Sequence, residues 1–275
     1  MTGLVERLVP DELWMLFRRV VVPPTEVICP QGGPGVARDR EGIIFMAASG
    51  CAWRQLPPMF GQSWHTVYLR FAQWSRVRTR LHRVILDELS AGGELDWARC
   101  AIDSVSMRAA KGGPLTGPNP TACGKLGSKI HLLADRNGLP LPSGIFGANM
   151  HDSQSLAPLV RVIPLIRSRR GPRRQRPAEL HADTGYDYDH LRPWLREHGI
   201  RHRIARKGIE SSQQPGCHRW VVERTVSWLV GCRRLHRRSE RKAEPFLTFA
   251  GITAALICHY GHCTIGVGPV RRSRE

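Results

Sequence analysis

An α/β fold is predicted here, a mixed sheet with helices preceded by a small all-helical segment, and three observations predict it. Residues 1–92 carry apolar positions at helical spacing. After residue 93 the pattern changes to short strand-like runs. The order of those runs is three strands, helix, strand, helix, strand, helix, which reads as an antiparallel meander followed by crossover units.

In the N-terminal part, Pro10-Asp11 opens an amphipathic stretch with Leu13, Leu16 and Phe17 on one face. Pro30-Gln31-Gly32-Gly33-Pro34-Gly35 breaks the chain, and a second helix over about 39–49 ends at Gly50. Ser63 is an N-cap candidate. Val67, Phe71 and Trp74 follow at i, i+4 and i+7, which turns His65, Arg70 and Gln73 outward. A further helix over roughly 77–90 ends at Gly92-Gly93. Several short helices with a basic outer face suit a helix-turn-helix-like DNA-binding domain over 1–92. A helical packing or dimerisation domain fits the same pattern.

Beyond residue 93, "CAIDSVSM" (100–107) is a predicted strand. "GSKIHLLAD" (127–135) and "LPLPSGIFGAN" (139–149) are two more, joined by the hairpin signal Arg136-Asn137-Gly138. A helix is predicted from Asp152, its N-cap, to about Arg167. The strand "AELHAD" (178–183), a helix over about 187–198, the strand "IRHRIAR" (200–206) and a helix from about Arg219 to Arg234 complete the order. That βββαβαβα order is the one of a ribonuclease-H-like core, here assigned to residues 93–260, with 261–275 an irregular basic tail.

The charge balance narrows the partner. Lys+Arg 41 against Asp+Glu 23 gives +18, which favours a polyanion and nucleic acid first. The densest basic run, "RSRRGPRRQR" (167–176), contains Arg169, Arg170, Arg173 and Arg174 and just precedes the strand that ends at Asp183, so it is expected to touch phosphates near that residue. Arg233, Arg234, Arg237 and Arg238 continue the last helix as a second backbone-binding face. Eight cysteines form no CxxC pair and no zinc spacing, and Cys258, His259, His262 and Cys263 bunch without a standard site. No apolar run is long enough to cross a bilayer and the start lacks a signal-peptide core, so a cytoplasmic protein with reduced thiols is expected.

Three acids fall at suggestive places. Asp103 lies on the first strand and Asp183 at the end of the fourth; neighbouring strands would bring them together at the carboxyl edge of the sheet. Glu223 lies on the last helix beside the apolar stripe Val222, Val226, Leu229. Three converging carboxylates repel unless a cation joins them, and Mg²⁺ suits such hard oxygen ligands. Each acid also has a plain role: Asp103 as a turn cap with Ser104, Asp183 as a helix cap, Glu223 as the i+4 partner of Arg219. Trp220 and Trp228 are expected in the core; Lys129 and His131 share one face of their strand, one of them toward the acids and neither catalytic, and His151 and Asp152 are candidates to orient the acids from outside, Asp152 otherwise as the N-cap of the next helix.

The stretches "GCAWRQLPPMFG", "TVYLRFAQW", "AIDSVSMRA", "GSKIHLLADRNGLPL", "NMHDS", "LHADTGYD" and "HRWVVERTVSWLVGCRRLHRR" together resemble the DDE transposases of bacterial insertion sequences, of the insertion-sequence-5 group, from about residue 10 to 257. The resemblance implies that Asp103, Asp183 and Glu223 are the catalytic and metal-binding triad, with Arg219 the arginine ahead of the glutamate. It implies Mg²⁺ or Mn²⁺, two ions, as cofactor. It implies cleavage at terminal inverted repeats and strand transfer into target DNA, by a homodimer on the DNA in the bacterial nucleoid. The chain departs from the pattern at Gly216, Val230 and Thr184, where relatives carry a tyrosine, a basic residue and a lysine. Two other activities compete with transposition: DNA binding without catalysis, as repressor or competitor at element ends, and a nuclease that cuts without joining.

Overall fold

The helical period that begins at residue 63 runs further than expected. The structure, a computed structural model, describes residues 15–16, 19–20, 35–208 and 216–260, less the side chains of 35–38, 78 and 216–219. The helix predicted from Pro10 lies outside these residues except for Met15 and Leu16, which are helical, and so does the tail 261–275.

Helix α1 (Gly35–Ser49) stops at Gly50, whose φ of +67° and close approach to the Arg233 backbone (a Cβ would stand 2.9 Å from its carbonyl carbon) require glycine. Two single 3₁₀ turns, Trp53–Gln55 and Pro58–Phe60, lead to Ser63, whose hydroxyl accepts from the Thr66 amide and opens α2. α2 (Trp64–Gly92) is one helix of 29 residues where two were expected. Ser75-Arg76-Val77 contains no breaker, and the buried stripe Val67, Phe71, Trp74, Leu81, Ile85 passes straight through it. Gly93, at φ +84°, closes α2 by donating its amide to Leu89 and Ser90.

The strands are β1 (Cys100–Ala109), β2 (Gly117–Pro118), β3 (Leu126–Asp135), β4 (Pro140–Gly147), β5 (Glu179–Ala182), β6 (Arg201–Ile204) and β7 (Arg237–Arg238). The main path through the sheet is β4-β3-β1-β5-β6, with β2 paired to β3 and β7 to β1. β3 runs antiparallel to β1 and β4, whereas β5 is parallel to β1 and β6 to β5. The expected ribonuclease-H-like order is therefore present, and the β3–β4 turn is the predicted hairpin, with Gly138 at φ +90°.

Helices α3 (Ser153–Arg161), α4 (Leu191–Glu197) and α5 (Gly216–Gly231) connect and cover the sheet. α3 stops well short of the predicted Arg167 because Pro164 disfavours helix at the residue before it. α5 begins earlier and ends earlier than expected, and Arg233–Leu235 form a separate 3₁₀ turn.

One element was not anticipated: α6 (Ala243–Tyr260), which packs on α2 and β4. Phe246, Phe249, Ile252, Ala255 and Ile257 are buried along it, and Phe249 stacks on Phe71 of α2 with ring centroids 4.4 Å apart. The helical region and the sheet thus share one continuous core. An apolar helix this fully covered is a core helix, and among the described residues none is long and apolar enough to cross a membrane.

His131 of β3 is 0% exposed; its Nδ1 contacts Tyr186 Oη at 3.1 Å and Ser155 Oγ at 2.9 Å. Burial outweighs the neighbouring Asp152 and holds its pKa down to about 4, against 6.5 in the open chain. Between those values the unfolded state binds a proton that the folded state refuses, so stability falls as the pH is lowered through that window. One such group adds up to about 1.4 kcal/mol per pH unit. Urea unfolding of His131→Gln between pH 6.5 and 4 is expected to lose that share of the slope; an unchanged slope means the folded ring is already charged.

Candidate active site

The β1–β5 register decides where the first two acids sit. Cys100 pairs with Leu180 and Ala101 with His181, and the same offset continued brings Asp103 opposite Asp183. Neighbouring strands lie about 4.8 Å apart, so on this register Asp103, within β1, falls opposite Asp183, just past the carboxyl end of β5. Both lie two positions beyond the paired Ala101 and His181, hence on the same face as those residues. Ala101 packs with Ala134 and Val222, so that face is the one α5 covers.

Asp183 caps a turn, as its plain role suggested. Its Oδ1 accepts from the Gly185 amide at 2.9 Å and starts the 3₁₀ turn Thr184–Tyr186. Asp103 Oδ1 accepts from the Ser104 amide at 2.7 Å. β1 runs unbroken through Asp103 and Ser104, so the turn cap expected there is absent and only Asp183 caps a turn. Both acids are half-buried.

Asp152 differs from the expectation. It precedes α3 but already has helical backbone angles, and its side chain makes no cap hydrogen bond. Its Oδ1 instead accepts from Lys129 Nζ at 2.6 Å and lies 3.7 Å from His131 Nε2. A Cβ on Gly185 would stand 3.0 Å from Asp183 Oδ1 and 3.5 Å from Asp152 Oδ2, so these two oxygens are no more than about 6.5 Å apart. Burial first, then the negative charges of Asp152, Asp183 and Asp103, push the Tyr186 hydroxyl pKa up. Lys129 and His131 alternate on β3 as the sequence indicated, but no sequence signal shows that Asp152 turns away from its helix.

Glu223 is exposed on α5, next to Val222, which packs on the Asp103 face. Among the described residues no three His, Cys, Asp or Glu side chains gather closely enough to hold an ion. The pair alone still fits a hard divalent cation, since Mg²⁺ is commonly held by one or two carboxylates plus water and substrate phosphate. The Arg219 side chain and Cys263 lie outside the described residues.

The basic residues divide sharply. Arg169, Arg170 and Arg174 are exposed, and their guanidinium groups make no ion pair or hydrogen bond among the described residues; they line a groove of about 370 Å³ with Ser90, Gly93 and Trp97. Arg173 is held by Asp87 and the Leu165 carbonyl. This loop enters β5 at its amino end, whereas Asp183 leaves at the carboxyl end, so the expected closeness to the acids is corrected. From Ala178 to Asp183 the separation is about 17 Å, the length of about five base pairs.

Arg233 and Arg237 are exposed, but Arg234 and Arg238 are buried. Arg234 binds Glu240 at 2.6 Å and the Cys51 carbonyl and lies over the Phe249 ring, so it is a brace within the protein and presents nothing to DNA. Their helix has ended at Gly231, which is why the four arginines do not share one face. In α2, His65 and Gln73 are exposed, whereas Arg70 pairs with Asp39 and Gln73. Trp220 is 50% exposed rather than in the core, with Arg224 stacked between it and Trp228.

Residues 98–258 match the family described as "Transposase DDE domain", and residues 9–82 match "Putative transposase of IS4/5 family (DUF4096)". A "Putative transposase for insertion sequence element IS402" of Burkholderia cepacia is 46% identical over 147 residues, covering 54% of this chain and 70% of the relative. An "Insertion element IS402 uncharacterized 16.2 kDa protein" of the same organism is 32% identical over 123 residues, covering 42% of this chain and 84% of the relative. Among solved structures, the catalytic core domain of BIV integrase is similar at 13% identity and a TM-score of 0.33, covering 61% of this chain and 86% of that one. A pre-cleavage Mos1 transpososome is similar at 13% identity and a TM-score of 0.33, covering 83% of this chain and 79% of that one.

Proposed function

The chain belongs to the DDE transposases of bacterial insertion sequences, and on that premise we propose that it binds the terminal inverted repeats of its own element and catalyses divalent-metal-dependent cleavage and strand transfer of DNA. The observation that carries the proposal is the parallel register of β1 and β5, which, continued two residues past Ala101 and His181, sets Asp103 of β1 opposite Asp183 just beyond the carboxyl end of β5.

In this reading Asp103 and Asp183 hold Mg²⁺ or Mn²⁺, and Glu223 supplies a third carboxylate from α5. Bound divalent ions, two of them, would activate the attacking oxygen and stabilise the leaving one in an in-line phosphoryl transfer. The amides of Ser104 and Gly185 each hold one aspartate oxygen before substrate arrives. Like charges repel, so Glu223 is expected to close on the pair only when cation and DNA are present.

Arg169, Arg170 and Arg174 would contact phosphates of the same duplex a few base pairs from the reacting one. Arg233 and Arg237, with His65 and Gln73 of the helical region 1–92, are the other candidates for DNA contact, in a homodimer on the element ends.

The test is a cleavage and strand-transfer assay on inverted-repeat DNA with Mn²⁺. Joined products are expected. Binding without cutting would favour a non-catalytic repressor, and cutting without joining a nuclease. In the same system, replacing Arg169, Arg170 and Arg174 with alanine should flatten the plot of log affinity against log salt by about 3 if all three neutralise phosphates. An unchanged slope removes the loop from the interface.

A further inference from the structure

We propose that Asp152, clamped by Lys129, is a positioning residue of the divalent-ion seat, its second oxygen anchoring ion-bound water beside Asp183. The inference rests on the reading of Asp103 and Asp183 as that seat. Asp152 stands where a capping carboxylate belongs, yet makes no cap bond. A capping bond there would stabilise the helix start, so a local stabilisation goes unused.

The carboxylate is held for something else. Lys129 Nζ donates to Asp152 Oδ1 at 2.6 Å and to the Met150 carbonyl at 3.3 Å, which fixes the ammonium from two directions. His131 Nε2, buried and without a hydrogen-bond partner among the described residues, lies 3.7 Å from the same Oδ1. Oδ1 is thereby committed, and Oδ2 is the oxygen turned toward Gly185 and Asp183.

Gly185 keeps the space between the two carboxylates open. A side chain there would begin 3.0 Å from one and 3.5 Å from the other. Two carboxylates at this separation disfavour each other's charge unless a cation lies between them, and Lys129 meets Asp152 on its other oxygen. A carboxylate just outside the ligands that orients them or their waters is a common support of metal sites. Its loss typically costs about 10- to 100-fold in metal affinity. Lys129 acts through Asp152, holding its Oδ1 so that Oδ2 stays aimed at Gly185 and Asp183.

The test is Mn²⁺ titration of the full chain, read by water-proton relaxation, with melting midpoints in EDTA measured alongside. Asp152→Asn is expected to weaken Mn²⁺ about 10- to 100-fold. Lys129→Met should weaken it in the same direction, and Asp152→Glu should recover part of the loss. Affinities are read well below each variant's melting transition, so a loss of folding is not counted as a loss of binding. Unchanged affinity in Asp152→Asn together with weakened affinity in Asp183→Asn overturns this inference alone. Unchanged affinity in Asp183→Asn overturns the seat itself, and this inference with it.

Discussion

Asp183→Asn is expected to stop cleavage and strand transfer of inverted-repeat DNA, by about 10³-fold or more, while DNA binding stays nearly unchanged. The substitution is isosteric, and the amide oxygen can still accept from the Gly185 amide, so the turn Thr184–Tyr186 keeps its cap. What disappears is a negative charge beside Asp103. A neutral amide is a poor ligand for a hard divalent ion, and the charge stabilisation such an ion supplies in phosphoryl transfer is several kcal/mol. About 4 kcal/mol corresponds to 10³-fold in rate. Removing an acid from a DNA-facing edge should, if anything, tighten binding at low salt. Gel-shift and cleavage assays on the same preparation separate the cases. Activity within tenfold of native would mean that Asp183 holds no essential ion, and equal loss of binding and chemistry would mean that it is only a structural cap. Asp103→Asn should behave in the same way.

The sheet was legible because its strands announce themselves locally. Asp103 and Asp183 could be placed on neighbouring strands from element order alone, and the 80-residue offset between them is the register offset of β1 and β5. The Ser63 cap and the Gly93 stop were equally local, each a single residue whose chemistry ends or begins a helix. What failed was information that exists only after packing. The break expected between residues 74 and 77 has no chemical cause, and the buried stripe of α2 continues through it. α6 has no amphipathic period to read, because it is covered on nearly every side. Asp152 carries the sequence signature of a cap, and only the distant Lys129 draws its carboxylate away. Arginines show the limit most clearly: Arg237 and Arg238 are adjacent, yet one is exposed and its neighbour is 0% exposed.

Arg238→Met is accordingly expected to destabilise the fold by about 1–3 kcal/mol without acting on DNA contacts. Its guanidinium donates from Nε to the Glu240 carbonyl at 3.0 Å and from Nη2 to the Arg241 carbonyl at 2.9 Å. Nη1 donates to Ser128 Oγ at 2.8 Å and to the Leu115 carbonyl at 3.2 Å. Four segments, the loop before β2, β3, β7 and the turn before α6, are therefore tied by one side chain. The Leu115 carbonyl keeps the Ser128 hydroxyl as a donor, so the substitution strands chiefly the carbonyls of Glu240 and Arg241. These carbonyls are only partly buried, so water replaces some of what each loses, and the cost stays near that of the lost charge-assisted bonds. Methionine roughly preserves the volume, which keeps a cavity from confusing the result. Against a typical total stability of about 5–15 kcal/mol, the shift should be plain in the urea midpoint. The exposed neighbour supplies the control. Arg237→Met should leave the midpoint in place and, if its guanidinium sits on a phosphate, lower the salt dependence of DNA binding by about 1. A stable Arg238→Met chain with weakened DNA binding would reverse the assignment and return Arg238 to the interface.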